Sequence, residues 1–216
     1  MKKTIIAILL IFCTLPFLSG CNIFAQEPVP QGSIIMADEF TVDNGKWMTT
    51  VDADYSMVGY QADGLRFVIN APNKDYFSLY KTAYDHAILD VDASKLAGPD
   101  NNVMGIVCRY QDINNYYAFI ISSDGYYGIV SRVNGVHRIL PDGQLFFNED
   151  VINTGTNINH IRVGCVQSAL WLEVNNKNLM GLYDDALTEG KVGLIAGAMS
   201  EPGVDILFDN FVVIQP

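Results

Sequence analysis

The stretch that most constrains the fold of this chain is residues 103–135, which read VMGIVCRYQDINNYYAFIISSDGYYGIVSRVNG. Val, Ile, Tyr and Phe dominate residues 103–110, 116–122 and 126–133, and Asp, Asn, Gly and Ser separate these segments. This composition is typical of β-strands joined by turns. The loop before the last segment ends in Gly125, the residue type that suits the positive φ at the end of a three-residue hairpin loop. The sequence therefore predicts three consecutive antiparallel strands.

The short loop also predicts the register of the second and third strands. Phe119 is expected opposite Ile129, and Tyr116 opposite Arg132. Because side chains alternate between the two faces of a strand, one face is an apolar core face made of Tyr117, Phe119, Ile121, Tyr127 and Ile129. The other face carries Tyr116, Tyr126 and Arg132, with small and apolar residues between them.

Similar segments recur at intervals of about 8–12 residues through the rest of the chain, with little helix signal. This spacing predicts an all-β fold, a two-sheet antiparallel jelly-roll sandwich. Residues 141–159 carry the least pattern, and we expect a long excursion there. A later hairpin joins residues 160–167 to residues 170–174, with Cys165 expected opposite Leu172.

The N-terminal part has a different character. Lys2 and Lys3 precede an apolar segment, residues 4–18, that is too short to span a bilayer and predicts a cleaved secretory signal. The sequence LSGC that ends at Cys21 resembles a bacterial lipobox, which implies cleavage before Cys21 and lipidation of this residue; an ordinary signal with a chance cysteine is the alternative. The predicted organisation is a lipoprotein signal peptide (residues 1–20), a lipidated Cys21 with a flexible tether (21–33) and one jelly-roll domain (34–216). The mature protein is then expected in the cell envelope, lipid-anchored to a membrane and facing outside the cytoplasm.

The charge balance excludes one class of partner. The chain has 13 Lys and Arg against 24 Asp and Glu, a formal net charge of −11, and the predicted cleavage removes Lys2 and Lys3 as well. Such a chain lacks the basic surface that binds nucleic acid or anionic lipid headgroups. We therefore expect no nucleic-acid partner.

Two of the four cysteines fall in the predicted domain. Cys108 and Cys165 share strand parity with apolar neighbours and are both expected to face the core. Free core thiols and a disulfide both fit this placement, and we favour free thiols.

Several short motifs occur in a characteristic order. They are DEF at 38–40, GKW at 45–47, GIVCRY at 105–110, NYY at 115–117, DGYY at 124–127, GKVGL at 190–194 and FDNF at 208–211. In this order the chain resembles the concanavalin-A-like jelly-roll superfamily, in particular laminin-G-like modules and the 3-keto-disaccharide hydrolase domain. The resemblance covers residues 37–214 and implies the fold. It also implies that the first and last strands lie side by side, so that Asp38 approaches Asp209.

The sequence lacks the catalytic motif of the glucanases in this superfamily. The Glu-x-Asp-x-x-Glu strand that glucanases of this superfamily use is missing, and no Glu pairs with a second carboxylate on one strand face. Glycosidases need two carboxylates facing each other across the substrate. We therefore predict no catalytic residue.

Outward aromatic and arginine residues are the candidates for ligand binding. Aromatic rings stack on the apolar faces of sugars, and Arg donates to hydroxyl groups. An ordinary solvent-facing sheet with Tyr and Arg as cross-strand partners is the alternative. The candidates are Arg109, Tyr116, Tyr126, Arg132 and Trp171.

Other residues are candidates for a metal site or for a structural role. Asp38 and Asp209 are candidate ligands of a structural calcium ion, with turn hydrogen bonding as the alternative. Trp47 is expected in the core. His86, His137 and His160 show no ligand spacing, and we interpret them as structural or surface residues.

These observations favour a membrane-anchored extracytoplasmic lipoprotein whose jelly-roll domain binds carbohydrate or another ligand without catalysis. A glycoside or 3-keto-glycoside hydrolase is one alternative. A cell-envelope protein-interaction module is the other.

Overall fold

The computed structural model describes residues 30–61 and 64–216. In these two ranges the chain forms sixteen β-strands and no α-helix. The strands are β1 (Ile34–Asp38), β2 (Thr50–Val51), β3 (Met57–Gln61), β4 (Gly64–Ile69), β5 (Lys74–Tyr84), β6 (Ala87–Ala97), β7 (Asn102–Asp112), β8 (Asn115–Ile121), β9 (Tyr126–Val133), β10 (Val136–Leu140), β11 (Phe146–Phe147), β12 (Asn159–Val166), β13 (Ala169–Val174), β14 (Lys177–Tyr183), β15 (Gly190–Ala198) and β16 (Val204–Ile214).

The larger sheet has nine strands in the order β14-β13-β12-β6-β16-β4-β3-β2, and β1 also pairs with β16. The last strand of the chain is therefore central: it pairs with β6 on one side and with β4 and β1 on the other. Ala37 lies opposite Val212 and Asp38 opposite Phe211. This pairing confirms that the first and last segments lie side by side.

The smaller sheet has seven strands in the order β10-β9-β8-β7-β15-β5, and β11 also pairs with β9. Phe119 lies opposite Ile129 and Tyr116 opposite Arg132, as predicted from the hairpin loop. Both sheets are antiparallel, and the predicted all-β, two-sheet jelly-roll sandwich is confirmed.

The core lies between the two sheets. Apolar side chains of the predicted core face, such as Phe119, pack there with side chains of the larger sheet, such as Leu89 and Phe208, all without solvent exposure. Removing these side chains from water is the main favourable term in folding. Trp47 is 5% exposed, which confirms its core position, and its Nε1 donates to Asp38 Oδ2 at 2.9 Å.

The two domain cysteines form a disulfide, so the prediction of free thiols is wrong. Cys108 on β7 belongs to the smaller sheet and Cys165 on β12 to the larger one. Both point into the core, as expected. The pairing depends on which strands oppose each other across the sandwich, and strand alternation within one sheet carries no information about that.

The register of the β12–β13 hairpin also differs from the prediction. Cys165 lies opposite Leu170 rather than Leu172. Gln167 adopts a positive φ of 52°, which lets the turn close one residue earlier than expected. The shift of two residues keeps every side chain on its predicted face and places Trp171 opposite Gly164 instead of Val166.

The predicted lipoprotein features belong to the N-terminal part of the chain. The signal peptide (residues 1–20), Cys21 and most of the tether lie outside the described residues. The described ranges contain no helix that is long and apolar enough to cross a membrane.

Candidate functional site

The candidate site is the outer face of the seven-stranded sheet, the face turned away from the larger sheet. Strand alternation places a second set of apolar side chains there, and each is at most 9% exposed. We call this set the apolar platform; it consists of Phe77, Leu79, Val107, Tyr116, Ala118, Ile120, Val130 and Ile195. Because these side chains are nearly buried, other parts of the chain already cover much of this outward face.

Part of the cover comes from the segment that follows β10. Leu145 packs against the apolar platform together with Ile139. The segment can approach the sheet because Gly128 has no side chain: a Cβ atom there would lie 2.7 Å from Leu145 Cδ2. Leu145 thus forms a wall that stands on the platform.

Two adjoining cavities remain on the platform. The first, of about 300 Å³, is lined by platform residues such as Tyr116 and by Asp75 and His137. The second, of about 460 Å³, is lined by Asn101, Asn102, Ser122, Asp124 and Tyr126, among others. Both cavities share four lining residues, which are Val103, Ile120, Leu145 and Met199.

Aromatic rings from three strands form one side of the platform. The Tyr116 ring stacks on that of Tyr110 with centroids 5.8 Å apart, and Phe77 meets Tyr116 edge-on at 5.3 Å. Such pairs contribute about 0.5–1.5 kcal/mol beyond the area that they bury. The rings are therefore held in place before any ligand binds.

Three polar side chains surround the first cavity. Arg132 lies opposite Tyr116 on one side and opposite His137 on the other, so β8, β9 and β10 bring them into one row. Arg132 hydrogen-bonds to the Tyr116 hydroxyl, which opposes the effect of burial in raising the pKa of Tyr116. The Nε of Arg132 is buried and, within the described residues, has no hydrogen-bond partner.

Asp75 supplies the negative charge at this cavity. Its carboxylate lies over Gly197 of β15, where a Cβ atom would collide with Asp75 Oδ1. Although part of Asp75 is exposed, desolvation of the carboxyl raises its pKa, and the positive charges of His137 and Arg132 oppose the rise. No group in the described parts of the chain hydrogen-bonds to this carboxylate.

Arg109 is not part of the site, and its predicted outward orientation is wrong. The pairing of β7 with β8 shifts register between Cys108 and Asp112, and Arg109 adopts a positive φ of 51°. This bulge breaks the alternation and turns the side chain inward, where it is 1% exposed. Its guanidinium donates to the carbonyl of Leu187 at 2.7 Å and to that of Gln167, and burial lowers its pKa.

The remaining predicted binding residues are divided between the two sheets. Tyr116 lines the first cavity and Arg132 lies opposite it on β9, whereas Tyr126, which is 42% exposed, lines the second cavity. Trp171 lies on the outer face of the larger sheet, where its ring covers Gly164. The structure therefore brings together Tyr116, Tyr126 and Arg132 and leaves Trp171 on the opposite side of the molecule.

The two calcium candidates pair with different neighbours. Asp38 lies opposite Phe211, whereas Asp209 lies opposite Asp92. Asp38 accepts hydrogen bonds from the Phe40 backbone, the Asn44 side chain and Trp47, an arrangement of donors that does not favour a cation. Within the described ranges no group of three or more His, Cys, Asp or Glu is arranged to hold a metal ion. Calcium binding by Asp38 and Asp209 stays a prediction.

Sequence reasoning missed Asp75, His137 and Leu145. A signal for His137 was present, because a two-residue turn at Asn134-Gly135 pairs Arg132 with His137. Asp75 lies on β5, which β15 and β7 separate from β8. Its presence at the site therefore depends on the order of strands in the sheet, which local sequence does not reveal. Leu145 belongs to the unpatterned excursion and had no local signal.

Comparison with known proteins shows which fold this chain shares with solved structures. No protein-family model and no curated protein matches the sequence. The carbohydrate-binding module CBM66 from Bacillus subtilis is similar with a TM-score of 0.63 at 13% identity, over 79% of this chain and 96% of the module. The Bacillus licheniformis β-glucanase is similar with a TM-score of 0.61 at 9% identity, over 88% of this chain and 100% of the glucanase.

A third similar structure is part of a larger protein. The GH43 protein BlXynB from Bacillus licheniformis matches with a TM-score of 0.63 at 15% identity, over 83% of this chain but 39% of that protein. At such identities the likeness is one of fold. The chain has a concanavalin-like sandwich, in agreement with the resemblance of its motifs.

Proposed function

We propose that the outer face of the seven-stranded sheet binds carbohydrate without catalysis. The observation that carries this proposal is the first cavity, which Asp75 lines on the apolar platform, together with Arg132, which lies between the lining residues Tyr116 and His137. Within the described residues, neither the Asp75 carboxylate nor the Arg132 Nε has a hydrogen-bond partner. A sugar hydroxyl can donate to a carboxylate and accept from a guanidinium at the same time. The apolar face of a sugar ring can pack on the platform residues.

The similar structures support the same ligand class. CBM66 is described as a carbohydrate-binding module, and the glucanase and the GH43 protein carry names of carbohydrate-active proteins. This support is indirect, because it passes through the shared fold, and sites rather than folds carry function.

A hydrolase acting on a glycoside or 3-keto-glycoside is the second candidate, and Asp75 is the observation that favours it. A raised carboxyl pKa is what a general acid needs. Asp124 is the other carboxylate that lines the two cavities. However, Asp75 is on β5 and Asp124 follows β8 in the β8–β9 loop. Since β15 and β7 lie between β5 and β8, three inter-strand spacings of about 4.8 Å place these two strands roughly 14 Å apart. Glycosidase pairs are about 5–9.5 Å apart, so the arrangement favours binding.

A cell-envelope protein-interaction module, the third candidate function, suits a flat apolar face better than recessed cavities.

We propose that the domain lies outside the cytoplasm on a lipid anchor at Cys21, as the lipobox-like sequence implies. The Cys108–Cys165 disulfide supports this location, because disulfides persist in oxidising compartments.

A glycan array followed by calorimetry tests the proposal. Asp75→Asn and Arg132→Gln should each weaken binding of the array-selected glycan about 10-fold or more, because each removes a charged hydrogen-bonding group. Arg138→Gln is the matched control, since Arg138 lies on β10 next to His137 but is exposed and points to the other face.

Two results would decide against the proposal. Absence of glycan binding by the wild type would contradict it. Release of product from nitrophenyl glycosides or a 3-keto-glycoside, lost in Asp75→Asn, would establish the hydrolase instead.

A further inference from the structure

The second cavity has the features of a separate binding subsite. It shares its floor with the first cavity through Val103 and Ile120, and the Leu145 wall borders both. Its remaining lining is different and includes Tyr126, Asp124 and Asn101. A ligand that fills the first cavity can therefore continue along the platform into the second.

An exposed aromatic pair stands at the second cavity. Tyr126 is 42% exposed and Phe147 is 52% exposed, with ring centroids 5.2 Å apart. The Phe147 ring lies over Gly125, where a Cβ atom would be 3.0 Å from the ring. The short strand β11 holds Phe147 opposite Tyr126. The Tyr126 ring is thus supported from the side of Phe147 and remains open to solvent, as a stacking surface must be.

Polar groups beside this ring are still available. The Asn102 amide is occupied, since it donates to Pro99 O and Ser123 Oγ. One carboxylate oxygen of Asp124 accepts from Ser122 Oγ. In the described parts of the chain, the other Asp124 oxygen and the Asn101 side chain have no hydrogen-bond partner.

We infer that the ligand is an oligosaccharide whose neighbouring units occupy both cavities, with the unit in the second cavity stacked on Tyr126 and hydrogen-bonded to Asp124. This inference rests on the proposed function. A single sugar would use the polar groups of one cavity and leave those of the other unpaired. An extended chain matches two polar clusters that are joined by an apolar floor.

The test uses length series, from one to six units, of oligosaccharides derived from cellulose, xylan, starch and fructan. Calorimetry should show that affinity for the bound series rises when the chain becomes long enough to reach the second cavity. Tyr126→Ala should remove this gain, about three- to ten-fold, and leave the affinity for the shortest bound sugar unchanged. Tyr183→Ala is the control, because Tyr183 is an 84% exposed tyrosine on β14 of the other sheet.

The possible outcomes separate the inference from the proposed function. Equal affinity for all lengths, or an equal loss at all lengths in Tyr126→Ala, would overturn the inference and leave the carbohydrate-binding proposal in place. Absence of binding to every series would overturn both. A thermal unfolding curve of Tyr126→Ala that matches the wild type shows that the variant is folded.

Discussion

Arg109 and Arg132 lie in the same sheet and have opposite roles. Arg109 turns inward at a bulge and donates to two backbone carbonyls, which joins the β12–β13 turn and the segment before β15 to β7. Arg132 keeps the regular alternation and lies opposite Tyr116, which lines the first cavity. The first arginine is therefore a structural residue, and the second is a candidate for ligand contact.

A matched pair of substitutions separates these roles. Arg109→Met should lower the free energy of unfolding by about 2–4 kcal/mol, because the buried Leu187 carbonyl and the part-buried Gln167 carbonyl lose their charged donor. Arg132→Met should change it by less than about 1 kcal/mol, since its side chain is half-buried at a cavity. Urea denaturation followed by circular dichroism measures both, and similar effects of the two variants would contradict the assignment.

Asp75 combines its proposed role in binding with a disadvantage for stability. Its pKa in the folded protein is raised from the ordinary 3.8, so the folded state holds the proton more tightly than the unfolded state. The contribution of Asp75 to the free energy of unfolding therefore falls as the pH rises from 3.8 through the raised pKa, and it stays lower above this pH window.

Asp75→Asn should accordingly raise the melting temperature at neutral pH, and the difference from the wild type should shrink below pH 4. Solvent screening at the exposed part of the side chain keeps the gain small. Thermal unfolding across a pH series is the measurement. A variant that is less stable than the wild type at pH 7 would show that the carboxylate stabilises the fold.

At the scale of elements, one covalent bond joins the two sheets. Cys108 on β7 and Cys165 on β12 are 57 residues apart in sequence, so the disulfide closes a long loop in the unfolded chain. Strands β7 and β12 hold the sulfur atoms in the core, where apolar side chains surround them. Its main expected effect is to restrict the unfolded state.

Replacing both cysteines by Ala should lower the free energy of unfolding by about 4 kcal/mol, the chain-entropy value for a loop of this length. The double variant should still bind glycan under conditions in which it is folded, because the disulfide faces the core and the cavities lie on the outer face. Denaturation of the double variant and of the reduced wild type should agree. A loss of less than about 1 kcal/mol in both would contradict this account.

At the scale of the whole molecule, the proposed arrangement is a binding domain on a lipid anchor. β1 begins at Ile34, and the preceding residues provide the predicted tether. The full chain has a net charge of −11 and the predicted cleavage removes Lys2 and Lys3, so the domain has no attraction to an anionic membrane and attachment should depend on the anchor.

Cys21→Ala should therefore release the protein from the membrane fraction of the producing cell. Mass spectrometry of the wild type should identify an acylated N-terminal cysteine. Cys13→Ala is the control, because it changes a cysteine that the predicted cleavage removes. Processing and membrane retention of the Cys21→Ala protein would contradict the lipoprotein prediction.

The sequence by itself determined most of the strands, the faces of their side chains outside the bulge at Arg109, and the register of the β8–β9 hairpin. These features are local: alternation has a period of two residues, and a three-residue loop ending in Gly125 leaves one register that buries Phe119 and Ile129 together. The pairing of the first and last segments was implied by the resemblance to the jelly-roll superfamily.

The tertiary structure decided whatever depends on strands that are distant in sequence. The bulge at Arg109, the bond between Cys108 and Cys165 and the position of Asp75 over Gly197 depend on which strands lie beside or across from each other. Three strands, β15, β7 and β8, lie between β5 and β9, and this order brings Asp75 to the cavity that Tyr116 and His137, the neighbours of Arg132, also line. Alternation along one strand places a side chain on a face, but only the packing of whole sheets determines which other side chains share its cavity.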